Sequence, residues 1–316
     1  MTALATRKKR NPVHNFFYKR KRTWQLYVLA LLPLIHLFIF SYGPMYGLQI
    51  AFRNFNPIEG IWGSPWVGLD HFVRFVNLHM FRRVLVNTLA ISIYGLLAGF
   101  PFPILLAFSI HYLRSKRFSK IVQTTTFMPH LISVVVFVGI ITQFFSLRTG
   151  VINNLLIEPL TGDRINFLGR AQYFRHIFVW TGVWQSAGFG AIIYLAGLAG
   201  VDPSLHEAAT IDGASKVQRM WHVDVPSILP TITILFILQM GNIISVGFER
   251  IFLLQNPMNL SVSEVISTYV YKVGLIAPIP QFSFAASIGL FNSVVNAIML
   301  VIANQVARRV GDTSLW

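Results

Sequence analysis

The chain has 316 residues, 54% of them hydrophobic, with 26 Lys and Arg against 11 Asp and Glu and no Cys. Only 12% of the residues are charged, about half the ~25% of a soluble globular protein. The charges are concentrated between long uncharged runs, so the solvent for most of the chain is lipid, and a water-facing domain is excluded. The absence of Cys excludes disulfide scaffolds, thiolate metal sites and cysteine nucleophiles. A net charge of +15 would point to nucleic acid in a soluble chain, but its distribution decides against that partner.

Counting His as neutral, the uncharged stretches run Thr23 to Phe52, Val84 to Ile110, Ile121 to Leu147, Ile177 to Val201, Val225 to Phe248 and Val273 to Ala307. Each meets the roughly 20-residue requirement for a membrane helix. Together they predict an all-α integral membrane protein with helices at 25–43, 85–110, 121–145, 174–198, 226–247 and 283–305. Pro33, Pro101, Pro103 and Pro129 lie in or near these spans, where lipid-embedded helices tolerate them if neighbours satisfy the freed carbonyls. The first span follows two dense basic clusters and lacks a small-residue cleavage site, so it reads as a retained helix and not a signal peptide.

With a cytoplasmic N-terminus, the inside segments hold 16 basic residues and the outside segments 10. The bias is strongest at Arg7 to Arg10, Lys19 to Arg22 and Arg114 to Lys120, which come with no acid. Both termini are therefore expected in the cytoplasm, with the N-terminal run anchoring on anionic membrane lipid. The outer segment Arg53 to Arg83 is turn-rich and aromatic, with Trp62 and Trp66, and is expected to fold over the outer mouth. Arg74, Arg82 and Arg83 extend it as an interfacial helix. The outer segment from Asn153 to Gly169 reads similarly.

The segment between the fourth and fifth spans is the most informative. Asp202 followed by Pro203 supplies an N-cap and then a residue with no N–H to satisfy. Leu205, Ala208, Ala209 and Ile211 give the short helix an apolar surface, and Gly213 breaks it. Asp212 or Ser215 can cap a second short helix, in which Val217, Met220, Trp221 and Val225 form a face for the membrane surface before Pro226 and Pro230 start the next span. Two short helices joined by a glycine turn make a knob able to seat in a groove of another protein. Composition alone favours an ordinary interhelical loop over such a docking knob.

Glu207-Ala208-Ala209, Gly213 and Leu229-Pro230 resemble the EAA signature of the permease subunits of binding-protein-dependent ABC importers. Asp212, Ala214 and the stretch from Val225 to Pro230 are similar to the carbohydrate-importing form. The basic arm, Ser41 to Leu48, Ala51-Phe52 and Trp66 to Leu69 resemble the branch that imports complex or acidic oligosaccharides, alginate among them. The resemblance implies the type I importer (MetI-like) permease fold with a cytoplasmic coupling helix. It also implies three parts: 1–80 as basic arm, first helix and outer loop, 81–307 as a five-helix permease core holding the coupling segment 202–224, and 308–316 as a cytoplasmic tail. The implied partners are a second homologous permease, two ATPase subunits and an extracytoplasmic solute-binding protein carrying an oligosaccharide. Glu207, Ala208, Ala209, Asp212 and Gly213 would enter a cleft of one ATPase. This chain has no phosphate-binding Gly-rich Lys-Ser/Thr run, so ATP and Mg belong to the partner ATPases, and the chain is expected to bind no cofactor and to catalyse nothing.

A sugar crossing a helix bundle needs aromatic faces for its C–H surfaces and amides or hydroxyls for its alcohols. Polar groups inside spans are costly against lipid and should face partners or a cavity. The candidates are Trp180, Trp184 and Gln185 in the fourth span, Gln239 and Asn242 three apart in the fifth, and Asn292 and Asn296 four apart in the sixth. For each, an interhelical bond that only packs the bundle competes evenly with pathway lining. Gln143, Asn87, His36 and His130 rank lower. The outer arginines Arg53, Arg82, Arg83, Arg148, Arg164, Arg170 and Arg175 could attract an acidic sugar or be ordinary loop chemistry, so charge alone does not choose alginate over a neutral oligosaccharide. The His residues show no close metal-ligand spacing. A membrane-embedded enzyme would need a constellation that is missing, and a secondary transporter would need acids within its spans.

Overall fold

The computed structural model describes residues 12–310 and 314–315; the basic run Arg7 to Arg10 and part of the C-terminal tail lie outside them. Among the described residues the chain is helical, and its one β contact is an isolated antiparallel bridge between Arg53 and Trp66. Five helical stretches are long and apolar enough to cross a membrane: Trp24–Phe52, His79–His111, Ala171–Ala199, Lys216–Met240 and Phe282–Arg309. A sixth is obtained by counting one bent pair as a single span.

Helix α1 (Pro12–Leu37) runs on through a π turn at Phe38–Tyr42 into a 3-10 stretch, Tyr46–Phe52. None of the most apolar window of this span is buried, and Leu29 and Leu32 are 71% and 75% exposed. It packs on the rest of the chain through its 3-10 end, against the last helix. The segment expected on the outer side then returns: Arg53 donates to the Ser64 carbonyl at 2.8 Å and sits between the rings of Trp62 and Trp66, at 5.6 and 5.5 Å. Helix α2 (Asp70–Asn77) brings Phe75 into the core.

The second span is two helices, α3 (His79–Gly99) and α4 (Pro101–His111), divided at Phe100 where Pro101 lacks an N–H to continue the ladder. The third departs from the uninterrupted helix expected at 121–145. Helix α5 (Lys116–Phe127) ends in a 3-10 turn at Met128–Leu131 that contains Pro129. Ser133 then accepts from the Val136 N–H and starts α6 (Val134–Phe144), bent 100° from its predecessor. Proline removes a backbone donor and the new N-cap restarts the helix, so the chain turns where the hydropathy shows no interruption.

Helix α7 (Ala171–Ala199) is the longest unbroken span of the centre, and it packs against α3, α4 and α5. Helix α8 (Pro203–Ile211) comes next, and the fifth span, α9 (Lys216–Met240), contains a π turn at Met220–Asp224. The expected separate second short helix is thus the first turn of that span, and the span ends at Met240 and not near 247. Short helices α10 (Phe248–Leu254) and α11 (Ile266–Tyr271) lead to α12 (Phe282–Val310).

Three clusters hold the body. Ile91, Phe137, Phe178, Val183 and Ile251 join α3, α6, α7 and α10. Phe75, Val84, Ile266, Phe284 and Ile288 join α2, α3, α11 and α12. Phe108, Ala191, Tyr194, Leu198 and Ile228 join α4, α7 and α9. Lipid is as apolar as these side chains, so close packing is the driver here. Gly188 illustrates it: a Cβ there would strike the Thr126 backbone of α5.

Candidate functional site

At one end of the bundle, the Asp202 carboxylate accepts from the Ser204 N–H at 2.9 Å, and Pro203 stands at the first helical position. That backbone hydrogen bond holds the Asp202 carboxyl below the usual carboxylate range. Helix α8 buries no residue; Glu207, Ala208, Asp212 and Gly213 are exposed, Ala209 is half-buried, and Ile211 is 86% exposed. Gly213 stands at φ +77°, the left-handed turn that stops the helix, with open space around the missing Cβ. Ser215 and Gln218 then form a reciprocal capping box at the start of α9.

The helix is held instead by polar contacts. Asp224, fully buried in the π turn of α9, accepts from the Tyr112 hydroxyl at 2.6 Å. His206 Nε2 lies 3.0 Å from the other carboxylate oxygen, an ion-pair distance without hydrogen-bond alignment. Arg219 donates to the Thr210 hydroxyl at 3.0 Å. Burial, and next the bond to Asp224, push the Tyr112 phenol well above its usual range. His111 adds a third metal-competent group, its ligand atom lying within 4.8 Å of those of His206 and Asp224. No sequence spacing reveals this cluster, because its members come from α4, α8 and α9.

Five of the seven candidate pathway residues line cavities, three in number. Trp180 and Trp184 line one of about 470 Å³ with Phe102, Ser109 and Thr126. Trp180 donates to the Tyr94 hydroxyl at 2.7 Å, and Tyr94 faces His176 Nδ1 at 2.9 Å. Trp184 stacks on Phe137. Gln185 and Gln239 meet in a second cavity, of about 580 Å³, beside the bend of the third span. Gln185 donates to the Ile132 carbonyl at 3.4 Å, while Gln239 makes no side-chain hydrogen bond among the described residues. Asn292 lines a third, of about 440 Å³, and its carbonyl oxygen is buried without a partner there.

The amide pairs do not act as pairs. Asn242 lies beyond the end of α9 and donates back to the Leu238 carbonyl at 3.3 Å, so it shares no helix face with Gln239. Asn296 accepts from the Ile244 N–H at 3.1 Å and donates to Ser245 at 2.9 Å, tying α12 to the turn after α9. Of the seven arginines expected on the outer side, three are engaged: Arg53 between its tryptophans, Arg164 with Glu158 at 2.8 Å, Arg175 with Asn87 at 2.9 Å. Asn87 in turn donates to the carbonyls of Ser261 and Glu264, both at 3.0 Å, a packing hub.

The residue that sequence reasoning passed over is Arg250. Its guanidinium lines the second cavity, 3.9 Å above the Phe178 ring and directly over Gly182, where a Cβ would collide with it. Among the described residues it has no ion pair or hydrogen bond. The adjacent Glu249 disguises it as half of a solvated loop pair.

Among the described residues, an all-helical architecture with five to six apolar spans, a capped helix presented at one end and cavities between the spans is that of a membrane permease. Residues 99–312 match the family described as the binding-protein-dependent transport system inner membrane component, and the chain belongs to that family. It is a non-catalytic permease subunit of an ABC importer. It is 39% identical over 291 residues to the polygalacturonan/rhamnogalacturonan transport system permease protein YteP of Bacillus subtilis (strain 168), covering 92% of this chain and 90% of that protein. It is 40% identical to a chain of a bacterial ABC transporter involved in the import of the acidic polysaccharide alginate, with a TM-score of 0.84 over 93% of this chain and 99% of the other. A second structure, a bacterial alginate ABC transporter with an alginate pentasaccharide-bound periplasmic protein, matches at 39% identity and TM-score 0.85, covering 95% and 99%.

Proposed function

We propose that this chain carries an acidic oligosaccharide, alginate or a related uronate, from an extracytoplasmic solute-binding protein into the cytoplasm by alternating access. The observation that carries the reading is the superposition along almost the whole chain on the alginate transporter permease at 40% identity. The chain works beside a second, homologous permease, which supplies cover for the apolar first span and the far wall of the cavities. Two ATPase subunits bind ATP and Mg beneath them. Glu207, Ala208, Ala209, Asp212 and Gly213 seat in one ATPase, an assignment supported by the exposure of α8 and its rigid caps. Trp180, Trp184, Gln185 and Gln239 line the route, with Asn292 near it; Asn242 and Asn296 keep only a supporting place. Both termini lie in the cytoplasm, consistent with six crossings when the bent pair counts as one. The division into arm with first span (1–80), core (81–307) and tail (308–316) belongs to the same reading.

The test is solute-stimulated ATPase activity of the reconstituted four-subunit complex with its binding protein, across acidic and neutral oligosaccharides. Stimulation by uronate oligosaccharides that disappears without the binding protein is the expected result. Stimulation by a neutral sugar alone keeps the importer and overturns the substrate.

A further inference from the structure

Arg250 poses an electrostatic problem. A guanidinium enclosed between spans costs several kcal/mol unless it is neutralised. The chain has few acids to do this: the three ion pairs among the described residues are Arg164–Glu158, His206–Asp224 and Lys272–Glu264, and none involves Arg250. The Phe178 ring at 3.9 Å offsets part of the cost, but a ring face supplies no hydrogen-bond acceptor for five N–H donors. The sequence even clears space for the charge, since Gly182 on α7 leaves a surface on which the guanidinium plane can lie. The open side of that plane is the cavity of about 580 Å³ whose other polar walls are Gln185, Gln239, Ser133, Ser186 and His130.

Three of these groups already have partners within the fold. Ser186 donates to the Gly182 carbonyl, Ser133 accepts from Val136 N–H, and His130 stacks on Phe189 with ring centroids 4.2 Å apart. Gln239 and Arg250 are left facing the space, with Gln185 held by one weak 3.4 Å bond. A planar cation with a free fork, flanked by two amides, matches a carboxylate attached to a ring of hydroxyls: the fork takes both carboxylate oxygens and the amides take the neighbouring alcohols. We infer that Arg250, with Gln185 and Gln239, forms a carboxylate subsite for one uronate residue of the passing chain, and that Arg250 sets the preference for acidic over neutral sugar. The inference rests on the reading of this chain as an acidic-oligosaccharide permease.

The alternative for Arg250 is mechanical: it fastens α10 to α7 through Phe178. Lys and Gln distinguish the two. Both lose the planar stack, but only Lys keeps the charge, so packing alone makes the variants alike and recognition of an anion separates them. The experiment is uptake of a labelled alginate oligosaccharide into proteoliposomes holding the complete complex with its binding protein, for wild type, Arg250→Gln and Arg250→Lys. Retention of the ATPase subunits through size-exclusion chromatography checks the assembly of each. Loss of a charge-assisted contact predicts that Arg250→Gln lowers the initial uptake rate by about tenfold or more, with Arg250→Lys restoring at least about a third of the wild-type rate. Equal rates in the two variants, whether both normal or both lost, overturn the subsite. A wild-type complex that takes up neutral oligosaccharide and no alginate overturns the substrate reading itself, an outcome separable because it does not involve the variants.

Discussion

Helix α8 has no buried side chain to hold it, so its attachment should be sensitive to the carboxylate of Asp224. Asp224→Ala removes the acceptor 2.6 Å from the Tyr112 hydroxyl and the anion 3.0 Å from His206. The Tyr112 bond reaches Asp224 of α9 and does not touch α8, so for α8 the loss is that of the His206–Asp224 pair alone. The His206 side chain is 24% exposed and the pair lacks hydrogen-bond alignment, so its loss amounts to about 1 kcal/mol. That is roughly a fivefold change in the balance between a seated and a loosened α8, since the Arg219–Thr210 bond stays in place. Amide hydrogen exchange across Pro203–Ile211 in the assembled complex measures it directly, and ATP hydrolysed per sugar imported measures the consequence. Exchange should accelerate by about fivefold and ATP hydrolysed per sugar imported should rise; Tyr112→Phe should shift both by less. Unchanged protection of α8 in Asp224→Ala would refute the claim that this network holds the helix.

The same geometry sets three further outcomes. Gly213→Ala forces a side chain into φ +77° with no steric contact around it, so backbone strain of about 1–2 kcal/mol should weaken α8 and raise uncoupled ATP hydrolysis while insertion into the membrane stays normal. Asn87→Ala leaves the Arg175 guanidinium and the carbonyls of Ser261 and Glu264 without their shared partner; a loss of about 2–4 kcal/mol should appear as a lower Tm of the detergent-solubilised complex. The Tyr112 phenol is raised by burial and by Asp224, so its contribution is complete below the ordinary phenol range near ~10 and is lost as pH climbs above it. The alkaline fall in stability from that group should be absent in Tyr112→Phe and present in wild type, as read by thermal melts across pH.

The local structure of the segment from Asp202 to Gln218 was legible because its signals are chemical and short-range. Asp202-Pro203 starts a helix, Gly213 stops it, and of the two caps the sequence offers, Asp212 and Ser215, it is Ser215 that starts the next helix. The spans were legible for the same reason: lipid demands an uninterrupted apolar run, and each run is present. What escaped depends on geometry at a distance. The third span is continuous in hydropathy, and only the coincidence of Pro129 with a new N-cap at Ser133 turns it through 100°. The π turn of α9 merges a surface helix with a span because the backbone hydrogen bonds need not stop where the charges do. Asn296 has the chemistry of a pathway residue, but the turn at Ile244 takes both ends of its amide. Arg250 is invisible beside Glu249, since nothing local says that one side chain enters the bundle while its neighbour stays exposed.

The two ends of the proposed machine are joined by a single rigid element. Helix α7 contains 29 residues without an internal proline or π turn, which makes a rod of about 43 Å at 1.5 Å per residue. Phe178, Gly182 and Gln185 stand on it at the cavity, and just beyond its far end Asp202 caps α8. The opposite cavity wall, Arg250, belongs to α10, which packs on α6 beyond the 100° bend. A displacement applied to α8 would therefore carry Gln185 and Gly182 along the rod while Arg250 moves with a different element. The guanidinium would slide off the Gly182 surface and its distance to the amides would change, opening or collapsing the carboxylate subsite. On this reading ATP-driven closure alters sugar affinity through one helix acting as a lever, and no chain of small side-chain rearrangements is required.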